Sequence, residues 1–320
     1  MNPRQITVVG ECVADAFTEA APAANELALR VLPGGGPANT AVALARLGTS
    51  ARFLARLSGD VFGRLFRAHL EASGVDLSCA VDAAEPSTLA VAELDQAGQA
   101  AFSFHAQNTA DWQWTPAELA RVDLSGTACV HTGSLALIRE PGGAVVEDFL
   151  AAASPRATVS IDPNVRPLLV RPETYRARLA RWCALADILR LSADDLELLL
   201  PGVAPEQACD LWHAAGARLV VITLGSDGAL ASLDGERVRV PAVTARVVDT
   251  VGAGDSFTAG LLHHLGAHGL LGGRLDGLGL DEVAEACRFG AQVAALTCSV
   301  AGPNPPWRDQ LEQLAPAGGV

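Results

Sequence analysis

Asp249-Thr250-Val251-Gly252-Ala253-Gly254-Asp255 sets a carboxylate directly behind a glycine-rich turn, and the run from Ser256 to Leu262 continues it as an apolar helix. Glycines let backbone N–H groups converge on an anion, and a helix N-terminus adds unpaired donors and a positive dipole end. That combination suits a phosphoryl group. The amides of Gly252, Ala253 and Gly254 would form an anion hole, and Asp255 would face an attacking hydroxyl as its base. A second glycine-led helix start, Pro33-Gly34-Gly35-Gly36-Pro37-Ala38-Asn39, lets a small polyhydroxyl ligand approach the backbone closely. Asn39 offers it both donors and an acceptor, and Asp15 adds an acceptor-only carboxylate able to hold two hydroxyls. Taken singly, these are also what a helix cap, a glycine turn and a strand end look like; their joint occurrence points to a site.

All 23 basic residues are arginine, and the absence of lysine removes several chemistries at once. A Walker-type phosphate loop, a pyridoxal Schiff base and a protein-kinase strand lysine cannot be built from this chain. Phosphate charge must therefore meet arginine, backbone amides or a metal. The net charge of -13 argues against a nucleic-acid or anionic-membrane surface. Seven scattered cysteines without a CxxC pair read as reduced buried thiols, and no apolar leader precedes the first strand, so the expected setting is cytoplasmic.

The elements that must position these residues follow an α/β alternation. Strands are expected over Gln5 to Val13 and Ala51 to Leu57, and again over 128–131, 158–161, 188–191 and 219–223, with helices near 142–153, 172–186 and 205–215. Pro37 and Gly48 bracket one further helix, and Ser58-Gly59-Asp60 leads into another over 61–72. A mostly parallel sheet flanked by helices follows. The strand ends carry Asp162-Pro163-Asn164, Ser192-Ala193-Asp194-Asp195 and Thr223-Leu224-Gly225-Ser226, and ligands of such sheets gather at that edge. Thr88 to Leu94 and Ala100 to His105 instead read as a hairpin, which suggests a lid over the site. On it Phe102 and Phe104 alternate with polar neighbours, and His105 and Gln107 are edge residues placed to select a ligand. Trp112 and Trp114 are expected to anchor this hairpin to the body.

Residues 34–39, Ser58 to Gly63, Asp162 to Arg166 and Asp249 to Asp255 together resemble the ribokinase-like, or PfkB-type, carbohydrate kinases over nearly the whole chain. Gly10 to Asp15 and Thr109 to Thr115 are most similar to bacterial fructokinases. The resemblance implies one three-layer α/β domain over 1–320, with a β lid built from about 14–32 and 86–108. It implies ATP-dependent phosphorylation of a sugar primary hydroxyl, most simply fructose to fructose 6-phosphate, with Asp255 as the base. Asp15, Gly34, Gly35, Asn39 and Asn164 would then hold the sugar and Arg166 would clamp the transferring phosphate.

On the nucleotide side the same resemblance implicates Ser192, Thr223, Gly225, Ser226, Gly228 and Gly254. Magnesium would be organised through water by Asp195, where the family's Asn-x-x-Glu is replaced by Ser192-Ala193-Asp194-Asp195. Asp249, Val251, Ala295 and Asn304 would hold a monovalent cation such as potassium, and homodimerisation through the lid is implied by several members. Kinases of 2-keto-3-deoxygluconate, ribose or a nucleoside are alternatives within the class. A non-catalytic sugar- or nucleotide-binding regulator is the alternative outside it.

Overall fold

Five apolar runs buried on both faces make the frame of the molecule. In the computed structural model the described residues are 5–20, 23, 25–94 and 100–312. The hairpin tip 95–99 and the end expected to fray, 315–320, lie outside them. In chain order the strands are β1 (Gln5–Val9), β2 (Val13–Glu19), β3 (Ala28–Gly34), β4 (Ala51–Leu54), β5 (Arg56–Ser58), β6 (Val81–Ala83) and β7 (Leu89–Leu94). They continue as β8 (Ala100–His105), β9 (Thr127–Gly133), β10 (Thr158–Asp162), β11 (Ile188–Ser192), β12 (Leu219–Thr223), β13 (Ala229–Leu233) and β14 (Glu236–Val240).

Eight strands pair in the order β14-β13-β12-β11-β10-β9-β1-β4, parallel from β12 to β4, with β13 and β14 added antiparallel. Their side chains alternate between two cores. Ile6, Val8, Cys129, Ile188, Leu219 and Val221 meet the helices Gly36–Arg46, Ala253–Ala267 and Leu280–Cys298 on one face. Val9, Val130, Leu189, Leu191, Val220 and Ile222 meet Gly142–Ala153, Pro172–Leu185 and Pro205–Ala214 on the other. Continuous apolar strands are what burial on both faces requires, and each fully buried leucine or isoleucine contributes about 1.5–3 kcal/mol.

A separate four-stranded sheet runs β3-β2-β7-β8, with β2 and β7 parallel and both outer pairs antiparallel. Its existence corrects the expectation of one strand over Gln5 to Val13. β1 stops at Val9, Gly10 to Cys12 cross over, and β2 begins in the other sheet. Ala51 to Leu57 is likewise two elements, β4 and β5, separated by Ala55. The crossings between the two sheets are tied at one place. Buried Asp111 accepts from the Cys12 amide at 3.0 Å where the chain enters β2, and from Thr88 Oγ1 at 2.6 Å where it enters β7. Beside it Trp112 Nε1 and Arg139 Nη2 both donate to the Ala106 carbonyl, at 3.0 and 3.1 Å, where the chain leaves β8. Trp112 and Trp114 are both buried, and Trp112 serves the root of the small sheet through its Nε1.

Candidate active site

The carboxyl ends of the parallel strands open into two cavities. One, of about 550 Å³, is lined by Thr223, Gly225, Ser226 and Gly228 after β12 and by alanines of the helix Leu280–Cys298. The other, of about 430 Å³, lies between the main sheet and the small one and holds Asp15, Gly35, Asn39, Phe104, Asn164, Arg166 and Asp255. Both reach the start of the helix Ala253–Ala267. Gly252 caps that helix in the left-handed region at φ 78°, where a side chain would be strained, and a Cβ there would also strike Pro303. Asp255 sits in the helix's first turn, with its Oδ2 accepting from Asn39 Nδ2 at 2.8 Å. The two glycine-led helices are thus joined through their two polar side chains.

Burial shapes the electrostatics. Asp255 is half-buried, and desolvation pushes its carboxyl up, opposed by the Asn39 hydrogen bond and by Arg166 and Arg190. Asp15 rises to about 6 for the same first reason, with Arg166 opposing and Asp255 adding repulsion. Glu11, in the same cavity wall, is raised by burial to about 7 against hydrogen bonding from Ser134. Ser134 and Asn164, just beyond β9 and β10, adopt positive φ of 55° and 41°, a cost carried at the cavity rim.

Several expected residues lie elsewhere. Asp195 does not face either cavity: its Oδ1 accepts from the Val165 amide at 2.8 Å and its Oδ2 from Ser192 N and Oγ, so it is consumed in a helix capping box. Its neighbour Asp194 is exposed and lines the second cavity instead. Ser192 lines that cavity too, whereas Thr223, Gly225, Ser226 and Gly228 line the first. His105 and Gln107 are exposed and border neither cavity, because strand alternation turns Phe104 inward and its neighbour outward. The Phe102 side chain lies outside the described residues. Gly34 packs against the Asp15 carboxylate and lies behind the cavity surface.

The residues expected to hold a monovalent cation do not converge by side chain. Ala295 lines the first cavity. Asn304 Oδ1 accepts from Arg46 at 2.6 Å, and Asp249 accepts from the Val251 and Gly302 amides at 3.0 and 2.9 Å. Val251 borders the second cavity beside Gly252. Among the described residues no cluster of three or more His, Cys, Asp or Glu has the arrangement of a metal site.

Arg190 is the residue that sequence reasoning missed. It stands in the middle of β11, only 5% exposed, with Nη1 donating to Asp162 Oδ2 at 2.7 Å and Nη2 to Thr223 Oγ1 at 2.8 Å. The available signal was a charge inside Ile188-Leu-Arg-Leu-Ser192, a run that otherwise reads as buried on both faces.

Fold and site together define a three-layer α/β protein in which two cavities meet at one helix start. Residues 3–310 match the model of the pfkB family carbohydrate kinases. A fructokinase of Rhizobium leguminosarum bv. trifolii is 38% identical over 242 residues, covering 74% of this chain and 73% of that protein. Among solved structures, a fructokinase from Xylella fastidiosa with bound ATP superposes with a TM-score of 0.86 at 26% identity, over 97% of this chain and 98% of the other. A double mutant of the Vibrio cholerae O395 fructokinase, in fructose-, ADP- and potassium-bound form, gives 0.82 at 26% over 97% and 98%. The chain belongs to the pfkB family and is a carbohydrate kinase.

Proposed function

We propose that this kinase transfers the γ-phosphoryl group of ATP to the primary hydroxyl of D-fructose, giving fructose 6-phosphate and ADP. The observation that carries the reading is the position of Asp255 in the helix turn where both cavities end. ATP occupies the larger cavity, whose mostly apolar wall suits a base, and the sugar occupies the cavity under the small sheet. The hydroxyl oxygen attacks the γ-phosphorus, the bond to the β-phosphate oxygen breaks, and the hydroxyl proton passes to Asp255. Phosphoryl transfer through a loose transition state needs positioning and charge stabilisation more than strong basicity, and an ionised aspartate suffices. Asn39 aims that carboxylate, the amides of 252–254 receive charge developing on the phosphoryl oxygens, and Asp15 and Arg166 orient the sugar. The small sheet acts as a lid, with Phe104 covering the sugar and excluding water.

Magnesium fits the donor set in one form only. With no cluster of three acidic or imidazole ligands among the described residues, the ion would be carried by nucleotide phosphates, with exposed Asp194 on the cavity wall able to reach it through water, as is usual for this metal. It would neutralise charge shared by the β- and γ-phosphates. Potassium is proposed from the relative, with backbone carbonyls as its main ligands and the Asp249 carboxylate, which keeps lone pairs beside its two amide bonds, within reach of the set. A cytoplasmic setting accords with seven cysteines that form no disulfide, and a homodimer through the small sheet completes the reading.

The deciding experiment is a coupled ADP-release assay with ATP, magnesium and potassium against fructose, ribose, 2-keto-3-deoxygluconate, adenosine and no sugar. Fructose should be turned over at least tenfold more efficiently than the others. Preference for another acceptor overturns the substrate assignment, and ADP release indifferent to every acceptor overturns the reading as a whole.

A further inference from the structure

The two cavities share three lining residues, Arg190, Thr250 and Gly254, and Arg190 is the one that brings a charge. Arg166 lines only the sugar side. The Arg190 guanidinium reaches the helix start because residue 254 has no side chain: a Cβ there would come within 2.8 Å of Nη1 and 3.1 Å of Nη2. Phe257, one turn along the same helix, lies under the guanidinium with its ring centre 5.6 Å from Cζ. The group has five N–H donors. One meets Asp162, one meets Thr223, and buried Nε has no partner.

A purely structural ion pair has little reason to stand here, because desolvating two charges inside a strand costs more than packing apolar side chains would. A cation fixed beside backbone amides at the meeting point of two ligand cavities is what a transferring phosphoryl group requires. We propose that Arg190 is a catalytic residue that contacts the γ-phosphoryl group as it passes from the nucleotide cavity to the sugar cavity. Asp162 and Thr223 hold the guanidinium with its two terminal nitrogens toward Gly254, and the amides of 252–254 complete the cradle. The assignment rests on the kinase reading above and adds to it the group that balances phosphoryl charge in a chain without lysine.

The test compares the unaltered enzyme, Arg190→Lys, and the double variant Arg190→Met with Asp162→Asn, which removes both charges together and so leaves no buried carboxylate unpaired. Turnover is measured alongside calorimetric affinities for ADP and for the β,γ-imido analogue of ATP. The double variant should lose about 10³-fold in turnover. It should also bind the analogue at least tenfold more weakly while keeping ADP affinity within twofold. Arg190→Lys should show the same split in milder form, since an ammonium keeps the charge and loses the planar fork; it decides the matter if the double variant does not fold. Turnover within threefold of the unaltered enzyme, or equal weakening of ADP and analogue, overturns the assignment and leaves Arg190 as a wall residue. An unaltered enzyme that binds neither nucleotide would bring down the kinase reading itself, an outcome distinct from active enzyme with indifferent variants.

Discussion

At the level of single side chains the demand falls on Asp255, which as the proposed base must be ionised to accept a proton in surroundings that favour its neutral form. Replacing it with asparagine keeps the shape and removes the desolvated charge. Asp255→Asn should therefore lose about 10³-fold in turnover while melting at a higher temperature than the parent, measured by calorimetry at neutral pH. A variant that kept near-normal turnover would sink the mechanism. Asp255 and Asn39 were legible in the sequence because glycines and proline mark where helices begin, and a polar residue in the first turn has few places to go. Asp195 was misread for a local reason: Ser192-Ala193-Asp194-Asp195 is also a capping-box pattern, and the hydrogen bonds nearest in sequence form first claim on the side chain. Arg190 was missed because its partners Asp162 and Thr223 lie 28 and 33 residues away, and a charge inside an apolar run does not say what it contacts.

Among the elements, the small sheet is the proposed lid, and its placement over the second cavity is what that role depends on. Both of its entries are tied to Asp111, whose own carboxyl burial raises to about 6. Asp111→Ala orphans the Cys12 amide, while the Thr88 hydroxyl keeps Thr109 Oγ1 at 2.6 Å, and should cost about 1–3 kcal/mol for the one donor left buried and unpaired. The looser root should raise the KM for sugar and increase ATP hydrolysis in the absence of sugar, because closure is what excludes water. Unchanged sugar KM with unchanged sugar-free hydrolysis would show that the clasp does not govern closure. Alternation and turn residues made the β7–β8 hairpin readable. The split between β1 and β2 was not, since an apolar run from Gln5 to Val13 carries no mark of the point where a strand leaves one sheet for another.

For the molecule as a whole, the cleft makes acidity work against activity and for the fold. Glu11 is raised from 4.5 to about 7, and Asp15, Asp111 and Asp162 from 3.8 to about 6, all chiefly by burial. A carboxyl raised on folding binds its proton more tightly in the native state, so its contribution is fully present below the unfolded value and is lost as pH rises through 6 to 7. Asp60, Asp76 and Asp234 are held below 3.8, and their contribution disappears only in stronger acid. Buried His131 and half-buried His263, lowered to about 3 and about 4, act the other way and lose their contribution as pH falls below about 6.5, so the carboxyl effect is read as a difference: Glu11→Gln should raise the melting temperature of the ligand-free protein more at about pH 8 than at about pH 5, while turnover of the parent declines from neutrality to about pH 5. An equal change at both pH values would contradict the burial of Glu11. The strand order also has a consequence for how the chain is made. β1 precedes the other described strands, yet its two neighbours are β4 and β9, so its second edge stays unpaired until Gly133 has emerged, 124 residues after Val9. At about 5–20 residues per second this is roughly 6–25 s of translation. Through that interval a nascent chain carries an open, apolar strand edge, which is the form in which a ribosome-associated chaperone would meet it.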